Sequence, residues 1–334
     1  MTNETTIRNI WKVAGNFSQQ LVNAREIGVF CRVVIRASAH KTISMLFLLL
    51  SILCSTAIVL LFRQFAFFRI NAFSAITVNY GICVFCAWAV QGRLPLQAGA
   101  PDQIWFPYAI ALGFVLISGF NLIAATVRTF SVTVGAVMQK MSLVLTVLYT
   151  ILFYDERVNT LKIIGILAAL GAIVLINWPQ EVRRESSAAR SWYLYLIPFL
   201  AWIMSAAMEI LLFRVERLTG QNANLDFLAF LFGTAFVLGI LRLLVAALRQ
   251  KIRFRKRDLF AGLLLGMINF GSIYFLLRTL GMGWEGSVVF PVNNVSIMAL
   301  SALLAYWLFR EKLGKINILG LALALSAIVL IAMA

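Results

Sequence analysis

One stretch of this chain occurs twice, and this duplication restricts the possible folds more than any other feature. Residues 155–176 read DERVNTLKIIGILAALGAIVLI, and residues 310–331 read REKLGKINILGLALALSAIVLI. From Glu156 and Glu311 onward, ten of 21 positions are identical, at a constant offset of 155 residues. The chain is therefore predicted to contain two copies of one structural unit.

Shorter similarities extend the duplication beyond this segment. The tetrapeptide LLFR ends at Arg63 and again at Arg214, while VRTF at 127–130 resembles LRTL at 277–280. These matches keep the same order in both halves of the chain. The duplicated unit is therefore expected to include more than its last two helices.

The composition is that of an integral membrane protein. Hydrophobic residues make up 62% of the 334 residues, the mean hydropathy is +0.91, and only 13% of the residues are charged. A helix needs about 20 apolar residues to cross a hydrocarbon core of about 30 Å. Ten stretches meet this requirement: 44–62, 72–90, 104–127, 132–153, 160–178, 192–213, 227–247, 258–277, 286–309 and 315–333. They leave no room for a sizeable soluble catalytic domain.

These stretches are expected to be helices rather than the strands of a barrel. Barrel strands alternate apolar and polar residues, whereas these runs are apolar throughout. Tryptophans lie at or near the ends of the runs, as expected at the membrane interface: Trp88, Trp105, Trp178, Trp192, Trp284 and Trp307.

The two copies are expected to enter the membrane in opposite orientations. The first five-span repeat is placed at residues 44–178, a linker at 179–191, and the second repeat at 192–334. Because five is an odd number, the second copy begins on the other side of the membrane. The predicted fold class is an all-α integral membrane protein with ten transmembrane helices in two inverted five-helix repeats. Such repeats are typical of secondary transporters, whose substrate site lies near mid-membrane where the repeats meet.

The first 43 residues differ from the rest of the chain. Apolar and basic residues recur there at helical spacing, which favours a basic amphipathic helix on the membrane surface. A disordered leader, or an over-extended start with Met45 as the true initiator, is the alternative. A cleavable signal peptide is not expected, because the apolar run at 45–62 comes late and exceeds a typical signal-peptide core.

The net charge of +16 would suggest nucleic-acid binding in a soluble protein, but here the basic residues lie between the spans. The four cysteines are interpreted as small packing residues rather than metal ligands, because the single histidine, His40, precedes the first span. They are Cys31, Cys54, Cys83 and Cys86. We therefore expect no metal site, no cofactor and no nucleic-acid partner.

At this point the residues carry a family resemblance. Each five-helix copy closes with an acidic-basic pair, Glu156-Arg157 or Glu311-Lys312, followed by a glycine-bearing apolar helix. With ten spans, this pattern resembles the EamA-type branch of the drug/metabolite transporter superfamily over residues 44–334. The resemblance implies export of amino acids, metabolites or toxic compounds, a bacterial cytoplasmic membrane, and termini in the cytoplasm. The distribution of Lys and Arg between the loops does not decide the orientation independently.

Polar residues inside the spans are the candidates for a substrate path, because an ionisable side chain at mid-bilayer costs about 3 kcal/mol or more. Lys140 lies well inside span four beside Gln139, and Asn293 and Asn294 lie at a matching depth in span nine, just after Pro291. The missing N–H of a proline loosens a helix at that point. Thr146 and Thr150 lie further along span four.

A second pair of amides is similarly placed in the two copies, Asn121 in span three and Asn269 in span eight. Packing of the repeats about a pseudo-twofold axis would bring these amides and the previous four residues around a central cavity. We expect the set to line the substrate path, with Lys140 attracting an anionic group. The alternative is that they form interhelical hydrogen bonds that hold the bundle together. The set is Asn121, Gln139, Lys140, Asn269, Asn293 and Asn294.

Three further residues within the spans have other interpretations. Glu209 in span six is a candidate for an ion pair with Lys140 or for binding a coupling proton. Arg242 in span seven is expected to reach the membrane surface. Trp202 lies mid-span and faces either lipid or the cavity.

The repeated segment itself is interpreted as structural. Glu156 and Glu311 stand at helix junctions, where they can cap the N-termini of spans five and ten. Gly165 and Gly320, with nearby alanines, give those two spans a small-residue face for repeat packing or for a homodimer.

The predicted function is a secondary active transporter of small metabolites, amino acids or drug-like compounds, not an enzyme, working by alternating access in a cell membrane. A carrier of sugar nucleotides or lipid-linked substrates is the main alternative. A channel or an intramembrane enzyme is a weaker one, since no Walker A motif, HExxH motif or intramembrane histidine occurs in the chain. The expected partners are a small-molecule substrate and the lipid bilayer.

Overall fold

The structure is a computed structural model that describes residues 42–65, 67–92, 99–130, 132–178, 192–220, 224–249, 255–309 and 313–333. The predictions for the leader, for the linker at 179–191 and for Glu311 lie outside these residues. Contacts divide the chain into residues 1–46 and 47–334. Of the first unit, residues 42–46 are described, as the first turn of a helix.

The described residues form eleven α-helices and two short 3-10 turns, Ala100–Asp102 and Trp192–Tyr195. The helices are α1 (Thr42–Phe65), α2 (Ala72–Gln91), α3 (Phe106–Thr129), α4 (Val132–Met141), α5 (Leu143–Tyr154), α6 (Thr160–Ile176), α7 (Leu196–Thr219), α8 (Leu225–Leu248), α9 (Lys256–Gly281), α10 (Gly286–Phe309) and α11 (Lys315–Ala332).

The predicted all-α membrane architecture is confirmed. In the described part of the chain, nine helices are long and apolar enough to cross a membrane if α4 and α5 are taken as one, and α6 is a shorter apolar helix. Together they account for the ten predicted spans. We call the membrane side at which α11 ends the C-terminal side. The opposite side, at which α6 leads into the linker, is the linker side.

The two repeats use the same devices at the turn between their first two helices. Asn71 caps α2 by accepting hydrogen bonds from two backbone N–H groups of the first turn, at 3.1 and 3.3 Å, and Asn224 caps α8 in the same way, at 3.0 and 3.2 Å. The preceding turn contains a residue in the left-handed conformation in both copies, Arg69 with φ 50° and Gly220 with φ 57°. The duplication is thus visible in backbone geometry as well as in sequence.

Helices α6 and α11, which carry the long repeated segment, pack against each other in antiparallel orientation. A Cβ atom placed on Gly165, near the start of α6, would lie 2.6 Å from Cγ1 of Ile331 at the end of α11. A Cβ atom on Gly320, near the start of α11, would lie 2.6 Å from the backbone nitrogen of Ile176 at the end of α6. Each contact joins a glycine of one repeat to the terminal isoleucine of the other, so the two contacts are equivalent. This relation is expected of inverted copies.

The other helices pack with the same symmetry between the repeats. α2 packs on α9 as α8 packs on α3, and the equivalent helices α2 and α8 contact each other, as do α5 and α10. The apolar residues form two cores. One lies mainly among α1, α2, α3, α7, α8 and α9, and the other among α5, α6, α10 and α11. Helix α10 contributes side chains to both cores and therefore lies at their boundary.

Candidate functional site

Three polar side chains meet where the two cores adjoin, one from the last turn of α4 and two from well inside α7 and α10. The Lys140 Nζ atom of α4 donates a hydrogen bond to Asn294 Oδ1 of α10 at 2.9 Å. Asn294 Nδ2 in turn donates to Glu209 Oε1 of α7 at 2.9 Å. Thr146 of α5 donates to the other carboxylate oxygen of Glu209 at 2.7 Å. We call Lys140, Asn294 and Glu209 the central triad.

The helices that carry the triad differ in their backbone. Ser142, between the end of α4 and the start of α5, has helical dihedral angles, φ −53° and ψ −28°, and its hydroxyl donates to the carbonyl of Gln139 at 2.7 Å. The two helices therefore form one membrane-length span. In α10, Pro291 lies inside the helix one turn before Asn294. A proline has no N–H to donate, so it leaves one helix carbonyl without its usual partner near the triad.

The triad balances its charges within the membrane. Asn294 is 1% exposed, and its amide presents oxygen to the ammonium of Lys140 and N–H to the carboxylate of Glu209. An isolated buried charge is strongly disfavoured, whereas hydrogen-bonded charges of opposite sign are tolerated. Lys140 and Glu209 remain partly exposed. A solute with its own charged groups can therefore replace the bridging amide on either side.

The structure gathers some of the predicted path residues and separates others. Lys140 and Asn294 are hydrogen-bonded, and Asn293 is adjacent and 6% exposed, with no hydrogen-bond partner for its Oδ1 atom among the described residues. Gln139 is exposed, and its backbone carbonyl accepts the hydrogen bond from the Ser142 hydroxyl.

Asn121 and Asn269 form hydrogen bonds with partners outside the triad. Asn121 Nδ2 donates to the carbonyl of Ile117 in its own helix at 2.6 Å. Asn269 Nδ2 lies 3.8 Å from the sulfur of Cys83 in α2, and this thiol also lies 3.3 Å from the carbonyl of Gly266. A place for these two amides on the path stays a prediction.

Glu209 contacts Lys140 through Asn294 rather than directly. Thr146 belongs to the site as a donor to Glu209, a role that its position six residues after Lys140 did not indicate. Arg242 is exposed, with its guanidinium 4.5 Å from the ring centroid of Phe73. Trp202 is partly buried, and its Nε1 atom has no hydrogen-bond partner within the described residues.

The expectation that Glu156 caps span five is wrong in its choice of helix. Its carboxylate accepts hydrogen bonds from the backbone N–H groups of Gly286 at 2.7 Å and Ser287 at 2.9 Å, so it caps α10, which is span nine. The cap of α6 is Asn159, which accepts from Lys162 N at 2.8 Å. Asn159 directly precedes α6, whereas Glu156 lies three residues earlier and reaches the neighbouring helix instead.

An ion pair between a buried lysine and a partly exposed glutamate lies beside this cap. Lys162, in the first turn of α6, pairs with Glu285 just before α10, and it also donates to the carbonyl of Arg157 at 2.8 Å. The Lys162 side chain is almost completely buried. The start of α10 is thus tied to the α5–α6 connection by a carboxylate cap and by an ion pair. Among the described residues, no group of three or more His, Cys, Asp or Glu side chains is placed to hold a metal ion.

Comparison with known proteins relates the first half of the chain to a transporter family. Residues 42–178 match the sequence profile of the EamA-like transporter family. This region therefore resembles that family, whose members are transporters. Together with the apolar, membrane-length helices of the described residues, the match supports a multi-pass membrane transporter.

A relative and a solved structure extend the comparison. A Haemophilus influenzae protein described as uncharacterized is 27% identical over 224 residues, which cover 66% of this chain and 74% of that protein. A protein of known crystal structure superposes with a TM-score of 0.65 at 15% identity, covering 87% of this chain and 97% of that one. The similarity shows that the two proteins share a fold over most of both chains.

Proposed function

We propose that this protein is a secondary active transporter that exports small metabolites, amino acids or drug-like compounds by alternating access across the cell membrane of a bacterium. The observation that carries the proposal is the central triad. It places an ammonium and a carboxylate near mid-membrane, between two inverted repeats, with a single neutral amide between them. Inverted repeats that rock around such a point alternately expose it to the two sides.

The charges of the triad favour solutes with both a negative and a positive group, or with one of them. A solute carboxylate can replace Asn294 Oδ1 at Lys140, and a solute ammonium can replace Asn294 Nδ2 at Glu209. A zwitterion such as an amino acid does both and leaves no buried charge unpaired. Sugar nucleotides fit less well, because one lysine beside a carboxylate does not balance a pyrophosphate.

Glu209 is the proposed site for a coupling proton. Its carboxylate is held by two neutral donors, Asn294 Nδ2 and Thr146 Oγ1, while the lysine charge is one side chain away. A proton on Glu209 neutralises the carboxylate that would pair with a solute ammonium and so favours release of a zwitterion. Loss of that proton restores the negative charge and favours rebinding, so the proton and the solute exchange at this position.

The test is counterflow in proteoliposomes containing the full chain, with labelled amino acids, nucleotides and lipophilic cations as separate probes. We expect saturable counterflow of a zwitterionic or anionic solute, abolished by Lys140→Ala and retained by Lys256→Ala, which removes an exposed lysine at the start of α9. Glu209→Gln is expected to keep exchange but to lose uptake driven by a pH gradient. An ohmic current, or full activity of Lys140→Ala, would contradict the proposal.

A further inference from the structure

A phenylalanine separates the central triad from the C-terminal side of the membrane. Phe213 follows Glu209 by four residues on α7 and therefore lies on the same helix face, one turn nearer the C-terminal side. Its side chain is fully buried. Any solute that moves between Glu209 and that side along this face of α7 has to pass the ring.

The ring of Phe213 is held from three directions. Tyr154 at the end of α5 meets it edge to face, with centroids 5.0 Å apart, and Phe290 of α10 does so at 6.1 Å. The guanidinium of Arg217 lies 4.9 Å from the ring centroid. Each contact has a geometry that is favourable for aromatic rings.

The backbone of α10 closes the remaining side. A Cβ atom placed on Gly286 would lie 2.6 Å from Cγ2 of Thr150 and 3.0 Å from Cε2 of Phe213. Gly286 is also the residue whose N–H is bound by Glu156. The carboxylate cap and the neighbouring Lys162–Glu285 pair therefore hold the start of α10 against the ring.

The sequence repeat supplies a second phenylalanine at the equivalent position. The LLFR tetrapeptides align Phe62 of α1 with Phe213 of α7. Because the repeats are inverted, Phe62 lies toward the linker side. Phe62 is only partly buried. Its ring contacts are Phe65 of its own helix at 5.2 Å and Phe120 of α3 at 5.5 Å. The two equivalent rings are therefore in different environments, one enclosed and one partly exposed.

Other residues near the triad also differ in exposure between the two sides of the membrane. Thr146, Thr150 and Phe290, on the C-terminal side of the triad, are buried. Gln139 is exposed and Ser205 is partly exposed, and both lie on the linker side of the triad. At these five positions, the residues on the C-terminal side of the triad are more buried than those on the linker side.

We propose that Phe213 and Phe62 are a pair of repeat-related gates, and that the structure shows Phe213 closed and Phe62 open. This inference rests on the proposed transport function, because it assigns the two rings to the two sides of the same path. Opening toward the C-terminal side requires the start of α10 to move away from α5 and release Phe213. The inverted symmetry then encloses Phe62 in the corresponding position on the linker side.

The experiment measures access without using a substrate. Ser205→Cys, one turn from Glu209, serves as a reporter for a membrane-impermeant maleimide, applied to vesicles of each orientation and corrected for the protein without the reporter. A cleavable C-terminal tag identifies the C-terminal side. We expect the reporter to react from the linker side, and to react from the C-terminal side only when the Phe213 gate is weakened.

Two variants weaken this gate in different ways. Phe213→Ala removes the ring, and Gly286→Ala inserts a methyl group between Thr150 and the ring without creating a cavity. Both are expected to increase labelling from the C-terminal side by about tenfold, because loss of a packed aromatic contact shifts the balance between the two conformations. Phe62→Ala is the matched control and is expected to leave labelling from that side unchanged.

The outcomes separate this inference from the proposed function. Equal labelling of the parent from both sides would overturn the gate, as would folded Phe213→Ala and Gly286→Ala proteins with no gain. A gain in Phe62→Ala equal to that in Phe213→Ala would show general loosening and would also overturn it. Side-dependent labelling in a protein without counterflow would uphold the gate and reject transport of the probes, whereas counterflow without side dependence would do the reverse.

Discussion

At the scale of single residues, Asn294 has the most demanding environment. It is buried, and one amide satisfies both an ammonium and a carboxylate from two other helices. Neither charged residue can form the same bridge with a leucine or an alanine at this position. Its neighbour Asn293 is equally enclosed, but its Oδ1 atom has no partner among the residues described. The two adjacent asparagines therefore offer a matched comparison.

Asn294→Ala is expected to destabilise the protein by about 3 kcal/mol, because it leaves two partly buried charges without their shared partner. Asn293→Ala should cost less, about 1 kcal/mol, since the carbonyl oxygen it removes is already unsatisfied. Thermal unfolding in detergent, followed by intrinsic fluorescence, measures both. Equal losses of stability in the two variants would argue against the bridging role of Asn294.

Arg69 is a second residue whose effect on stability can be tested, because its backbone conformation is strained. Its φ of 50° is unfavourable for a side chain with a Cβ atom, and the equivalent position in the second repeat is a glycine, Gly220, at 57°. Arg69→Gly should stabilise the protein by up to about 1 kcal/mol, and Gly220→Ala should destabilise it by a similar amount. Melting temperatures of the two variants should therefore move in opposite directions.

At the scale of helices, the sequence predicts positions better than partners. The apolar runs locate all ten spans, and the repeat in α6 and α11 indicates the small-residue face on which they pack. The partner of Glu156 was not predictable, since capping rules describe the helix that follows a residue in sequence and not one that approaches it in space.

The cap on α10 leads to a direct test of Glu156. Glu156→Gln keeps one acceptor oxygen for two N–H groups and loses the favourable charge at a helix N-terminus, so it should cost about 1 to 2 kcal/mol. Asp155→Asn alters the adjacent, exposed carboxylate and should have little effect. Unfolding midpoints measured in the same detergent compare the two. A larger effect of Asp155→Asn would reject the cap.

In the antiparallel contact of α6 with α11, we expect substitutions of the two equivalent glycines to reduce stability by different amounts. Gly320→Ala places a methyl group against the backbone of Ile176, which cannot move aside, whereas Gly165→Ala meets mainly the side chain of Ile331. The first should cost about 1 to 3 kcal/mol, and the second less. Thermal unfolding distinguishes them, and equal costs would mean that the two sides of this contact adjust alike.

At the scale of the whole molecule, the duplication predicts the architecture but not the site. The two halves share their helix order and the asparagine caps of α2 and α8, so one copy largely predicts the helix positions of the other. The triad has no such symmetry, since the residue equivalent to Glu209 by the LLFR alignment is Ile58. Sequence reasoning could identify Lys140, Asn294 and Glu209 as unusual, yet only the packing of α4, α7 and α10 shows that they are connected.

Inverted topology itself can be tested at two equivalent exposed positions. Trp178 follows α6 and Met333 follows α11, at the same offset of 155 residues, and both are exposed. Single cysteines at these positions should react with an impermeant thiol reagent from opposite sides of the membrane. Reaction of both from one side would show that the repeats are parallel.

The exchanged contact between α6 and α11 has a consequence for the origin of the chain. Gly165 and Ile176 both belong to the first half, so this half already contains the two complementary surfaces that meet in the full protein. A half-length polypeptide inserted in both orientations can therefore associate with itself through the same contact. Fusion of two such genes would then have preserved an existing dimer, after which the halves were free to diverge, one acquiring Lys140 and the other Glu209.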